Sequence, residues 1–280
     1  MVHAENDTII NLLTERYSKP WLRRKLGAYA LALSRPNFVE EEAVLRAIKW
    51  AEMTGGNLYI VHMSTGEAVD AVKQAKKKGI NVFVETCPQY LLLNDSVFKK
   101  KNGFLYGTCP PVKKKKDNQR LWQGLSDNEI DVVATDTCLF DSKQKSRWNN
   151  DFRKIPYGMP GVETMMPLLF SEGVMKNRIA LTRFVQLTST NPAKLFGLYP
   201  QKGTIQVGAD ADLVIIDPKK EVTLSAETLQ TDCDWSPYEG IKVTGYSIQT
   251  ISRGKIIVQN SKFIGKPGHG HFIKRKGVNL

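Results

Sequence analysis

The sequence predicts an α/β protein of parallel βα units followed by a β-rich C-terminal part, and three observations carry that prediction. Helical and strand patterns alternate between Val39 and Asp136. The strand segments are too continuously apolar for a sheet with one wet face. Near Gly203 the pattern changes to short strands, turns and glycines. A chain of 280 residues with 41% hydrophobic content can bury a sizeable core.

The elements follow in chain order. "VEEEAVLRAIKWAEMTG" places Ala43, Val44, Ala47, Ile48 and Ala51 on one helical face, with acids in the first turn and Gly55 at the end. "LYIVH" is a buried strand ending in His62, and "GEAVDAVKQAKKKG" is a helix closed by Gly79. "INVFVET" is the next strand; after a basic loop, "LWQGLSDNE" is a short helix and "IDVVATD" a third buried strand ending in Asp136. "RFVQLTS" and "NPAKLFGLY" are helical links to the β-rich part. We expect one domain over residues 1–200 and a second over 201–280.

Composition excludes several classes. Cys87, Cys109, Cys138 and Cys233 are far apart with no CxxC pair, so neither a disulfide framework nor a zinc finger is indicated, and a reduced, cytoplasmic setting is expected. The N-terminus lacks a signal-peptide pattern, and no apolar run approaches the ~18 residues of a membrane span. The net charge of +12 invites a nucleic-acid partner. The lysines, however, are scattered over "KQAKKKG", "FKKKNG", "PVKKKKD" and "IKRKG" without interleaved aromatics or a recognition motif, so a solvated basic face is expected and nucleic acid is not.

Polar groups close the strand segments: His3 in "MVHAEN", His62 in "YIVHMS", Glu85 in "VFVETC" and Asp136 in "VVATDT". In a parallel α/β barrel such ends share one rim, where two histidines and a carboxylate suit a cation such as zinc. On spacing alone the same residues read more readily as a hydrogen-bonded core histidine and a helix-capping aspartate.

"MVHAEN", "SRPNFVEEEAVLRAI", "LYIVHMST", "VETCPQYL", "TSTNPAKLFGLYPQKGTIQVGADADLVIIDP" and "SPYEGIKVTGYSIQTISRGKIIV" together resemble the dihydropyrimidinase and D-hydantoinase family of cyclic amidohydrolases, over essentially the whole chain. The resemblance implies the C-terminal part of a metal-dependent TIM (β/α)8 barrel plus β-sandwich strands, acting on cyclic ureides. It makes His3 and His62 ligands of one metal, and Asp136 a ligand of the other metal and the proton shuttle. It places Cys109 in "TCPP" and Tyr157 in "IPYGMPG" at the substrate. In the family two divalent cations bridged by a carboxylated lysine activate water and polarise the amide carbonyl.

The family's HxH pair, bridging lysine and oxyanion-stabilising tyrosine have no counterpart in this sequence, which starts at "MVHAEN". We therefore expect a C-terminal portion holding about half of the eight barrel strands. The ligands present account for at most one ion, with zinc expected. An upstream N-terminal half would complete the site, and homo-oligomerisation follows from the resemblance. The alternative is a catalytically inactive fragment or a noncatalytic assembly protein of the same fold. Thr137, Tyr157 and Cys109 each replace the family's usual residue and bear on specificity. Asp7 replaces a glycine after "HAEN", at a position where positive φ is expected. His269 and His271 in "GHGH" are expected at the surface.

Overall fold

The computed structural model describes residues 1–277, which pack as two units. The first is Met1–Met165 with Ser225–Glu239; the second is Met166–Leu224 with the chain from Gly240 onward.

In the first unit, helices α1 (Asp7–Ser18), α2 (Pro20–Leu26), α3 (Tyr29–Ser34) and α4 (Asn37–Thr54) precede strand β1 (Leu58–Ile60). Then come α5 (Gly66–Lys77), β2 (Val82–Thr86), α6 (Pro88–Leu92), α7 (Lys115–Ser126), β3 (Val132–Val133) and α8 (Ser142–Ser146). The strands form one parallel sheet in the order β1-β2-β3. Val2 extends it by a parallel bridge to Ile60, so His3 leaves the sheet at the same end as His62. Among the described residues this sheet does not close into a barrel.

Local chemistry sets the boundaries. Asn6 caps α1, its side-chain oxygen accepting from the Ile9 amide at 3.2 Å. Asp7 is therefore the first helical residue and not the positive-φ position expected from sequence. Gly55 ends α4 at φ 65°, the left-handed conformation that a side chain resists. Asp117 Oδ1 accepts from the Gly66 amide at 3.0 Å and the Asn37 side chain at 2.8 Å, tying together the starts of α4, α5 and α7. Val69 and Val72 of α5 and Leu121 and Leu125 of α7 are fully buried, as the 3.6-residue spacing requires.

In the second unit, β4 (Leu213–Thr223), β5 (Lys242–Ser252), β6 (Lys255–Gln259) and β7 (Lys262–Phe263) form an antiparallel sheet in sequence order. Its last two hairpins turn on Arg253-Gly254 and Asn260-Ser261, all at positive φ, which suits the right-handed twist of paired strands. The expected helical links are two short helices, Leu181–Val185 and Asn191–Leu195, joined by a π-type turn. His269 is half-buried, with its ring 3.1 Å from Ser252 Oγ, and His271 is exposed.

The strands are shorter than the apolar runs suggest: "LYIVH" yields a three-residue strand and "IDVVATD" a two-residue one. The chain turns instead into positive φ at His62 and Asp136. Not every lysine of the basic runs is solvated. Lys113 is buried, and its ammonium donates to the Arg35 carbonyl at 2.7 Å. All four cysteines are free, and among the described residues no helix is long and apolar enough to cross a membrane.

Candidate metal centre

Parallel strands bring His3, His62, Glu85 and Asp136 to one end of the sheet of the first unit. His62 at φ 38° and Asp136 at φ 48° occupy left-handed backbone that costs a non-glycine residue of order 1 kcal/mol or more, a cost met where surroundings fix a functional group.

His3 Nδ1 lies 3.1 Å from His62 Nε2. The other nitrogen of His3, Nε2, is bonded to Glu5 Oε2 at 2.9 Å. The carboxylate selects the Nε2–H tautomer of His3, leaving the Nδ1 lone pair turned toward His62. Two histidine nitrogens on one tetrahedral zinc, each about 2.0–2.1 Å from it, stand about 3.3 Å apart. The observed pair fits that spacing. A carboxylate on the far nitrogen of a histidine is also the usual outer support of a metal ligand.

Burial, and then the His3 ring, push the His62 imidazole down to about 4, so it is neutral and able to offer a lone pair at neutral pH. Its Nδ1 is buried without a hydrogen-bond partner. Burial alone would raise the Glu5 carboxyl, but the hydrogen bond from His3 and the charges of Arg35 and Lys113 outweigh it and hold Glu5 below its ordinary value. Glu5 Oε2 accepts from Arg35 Nη1 and also from Cys109 Sγ, at 3.3 Å.

His3, Glu5 and Cys109 also form a group whose potential ligand atoms lie within 4.8 Å of one another. The sequence reading missed Glu5, although it stands two residues after His3. A strand-end carboxylate following a candidate ligand is the signal that could have found it.

Asp136 makes no hydrogen bond to either histidine. Burial, and then the Glu85 carboxylate, raise its carboxyl above the ordinary value, while His3 lowers it, so the three groups share one electrostatic environment. Glu85 is held by the Tyr59 hydroxyl, which donates at 2.7 Å, and faces the His62 amide at 3.4 Å. Tyr157 lies against Arg35, whose guanidinium carbon is 5.6 Å from the ring centroid. Cys109 and Tyr157 thus meet the same Arg35–Glu5 pair. Burial, and then Glu5, push the Cys109 thiol up to about 12. Arg35 also lines an open groove of about 580 Å³ with Tyr29, Glu67, Lys113 and Lys116.

The sequence matches the amidohydrolase family over residues 20–257. The chain belongs to that family. The chain is 45% identical over 278 residues to a D-hydantoinase of Geobacillus stearothermophilus, covering 98% of this chain and 58% of the relative. It is 43% identical to a D-phenylhydantoinase of Escherichia coli O1:K1, covering 98% of this chain and 59% of the relative. The crystal structure of a dihydropyrimidinase from Brevibacillus agri superposes with a TM-score of 0.96 at 41% identity, over 100% of this chain and 60% of the other. An L-hydantoinase from Arthrobacter aurescens superposes with a TM-score of 0.90 at 34% identity, over 98% of this chain and 60% of the other. The amidohydrolase chain thus spans about three-fifths of the length of these relatives.

Proposed function

We propose that this amidohydrolase is a metal-dependent hydrolase of cyclic amide C–N bonds, acting on ureides of the dihydropyrimidine and hydantoin type. One observation carries the reading: His3 Nδ1 and His62 Nε2 converge at 3.1 Å, with His3 held from behind by Glu5. The similarity to hydantoinases supplies the substrate class. On this reading residues 1–200 are an arc of a (β/α)8 barrel and residues 201–277 belong to a β-sandwich, with the site on the C-terminal rim.

His3 and His62 would hold one divalent cation, zinc being the expected ion for this donor set. A cation here supplies Lewis acidity toward the amide carbonyl and lowers the pKa of water. Asp136 would take the proton of the attacking water and pass it to the departing ring nitrogen; burial, and then Glu85, raise its carboxyl, which makes it a better proton acceptor. Cys109 and Tyr157 line the substrate position, Cys109 as a neutral thiol because of its burial. Arg35 neutralises Glu5 and keeps that carboxylate from competing for the cation.

The ligands on this chain account for one ion of the family's two, so the reading requires a further segment that supplies the remaining ligands and strands. The test is hydrolysis of dihydrouracil and of a 5-substituted hydantoin by protein loaded with zinc and bicarbonate. It is run with and without a polypeptide equivalent to the N-terminal two-fifths of the relatives. Turnover is expected only in the completed protein. A completed, metal-loaded protein that hydrolyses neither compound would overturn the reading in favour of a noncatalytic assembly role.

A further inference from the structure

Lys145 is completely buried in α8, yet no carboxylate pairs with it among the described residues. Its ammonium donates to two backbone carbonyls, that of Gly107 at 2.8 Å and that of Pro156 at 2.7 Å. It also lies 5.9 Å from the ring centroids of Phe140 and Trp235, with Cys138 and Cys233 in electrostatic range. Burying a cation without a counter-ion is costly, and the two hydrogen bonds to carbonyls offset part of that cost.

The carbonyls belong to two separate segments. Gly107 is two residues before Cys109, and Pro156 is next to Tyr157. The segments also meet directly. The Gly158 amide donates to the Gly107 carbonyl at 3.0 Å. A Cβ on Gly107 would fall 2.2 Å from Ile155 Cγ2, and one on Gly158, at φ 146°, would fall 2.4 Å from the Cys138 carbonyl oxygen. Beyond this seam, Cys109 reaches Glu5 and Tyr157 lies against Arg35.

We propose that Lys145 is a positioning residue: its ammonium ties segment 107–110 to segment 155–158 and so sets where Cys109 and Tyr157 face the Glu5–Arg35–His3 cluster. That Cys109 and Tyr157 touch substrate rests on the hydrolase reading above; that Lys145 fixes their segments does not.

The test compares wild type with Lys145→Met, which keeps the length of the side chain and removes its donors. Iodoacetamide alkylation is followed at each cysteine by peptide mass. Cys109 should react about tenfold faster in the variant, while Cys87, buried elsewhere in the unit, keeps its rate. An unchanged Cys109 rate would overturn the proposal. So would a parallel rise at Cys87, which marks general loosening of the fold. If Lys145→Met does not give folded protein, Lys145→Gln, which retains a donor for one carbonyl, carries the same comparison.

In protein that hydrolyses dihydrouracil, Lys145→Met should raise KM about tenfold with kcat within about threefold, because substrate contacts shift while proton and metal groups stay. A loss confined to kcat would contradict the positioning role. Absence of turnover in the completed, metal-loaded wild-type protein counts against the hydrolase reading alone, and the alkylation comparison still decides the role of Lys145.

Discussion

Glu5 bonds the Nε2 of His3 at 2.9 Å, and the opposite nitrogen of the same ring faces His62 at 3.1 Å. One carboxylate therefore sets which lone pair of His3 is turned toward His62. Glu5→Gln keeps the shape and removes the charge that fixes this tautomer. Zinc affinity, measured by competition with a chromophoric chelator, should fall about 10–100-fold, the usual consequence of losing an outer-shell partner. Unchanged affinity would mean that Glu5 has no part in presenting His3.

Arg35 is the main countercharge to Glu5, whose side chain is almost completely buried. Arg35→Met leaves that carboxylate with His3 and the more distant Lys113. Removing one member of a buried pair costs roughly 3 kcal/mol, since the stranded charge loses its partner. Urea denaturation should show a loss of this size for Arg35→Met and a smaller one for the double variant Arg35→Met with Glu5→Gln. A double-variant loss equal to the sum of the losses of Arg35→Met and Glu5→Gln measured singly would show that the pair is not coupled.

Leu121 of α7, the helix that packs against α5 and α6, is fully buried. Leu121→Ala should cost about 3 kcal/mol, the transfer of the lost methyl and methylene groups plus the cavity left behind. A shift in denaturation midpoint below about 1 kcal/mol would mean that the site collapses freely.

Burial pushes the Lys145 ammonium down to about 7 from an ordinary 10.5. Between these values the unfolded chain binds the proton that the folded chain has released. Stability conferred by this residue therefore rises as pH climbs from about 7 toward 10.5, and it is lowest and flat below about 7. Denaturation of wild type and Lys145→Met from about pH 6 to about pH 9 should show curves whose difference moves in favour of wild type as pH rises. Parallel curves would contradict the buried-ammonium assignment.

Much of the α/β pattern was legible because burial imposes periodicity. The spacing of Val44, Ala47, Ile48 and Ala51 marked α4, and Gly55 marked its end. The β-rich character of the chain beyond Gly203 was legible from its short strands, turns and glycines, and the antiparallel sheet lies there. Strand lengths were not legible: His62 and Asp136 lie in apolar or small-residue runs, and nothing in residue type shows that the chain has already turned to positive φ there. Among the candidate site residues, His3 and His62 are in contact, while Asp136 is linked to them only through the local field. The roles of Arg35, Lys113 and Lys145 depend on contacts between residues 30 or more positions apart, or on burial within a lysine-rich stretch, which single-sequence patterns do not encode.

The most direct test of the central claim is a zinc titration of the purified chain beside its His3→Ala and His62→Ala variants, read by metal content after desalting. The His3–His62 pair as a shared ligand set predicts at most one readily lost equivalent on the wild-type chain and less on either variant. Zinc retained equally by His62→Ala, or two tightly held equivalents on the wild-type chain, would contradict it.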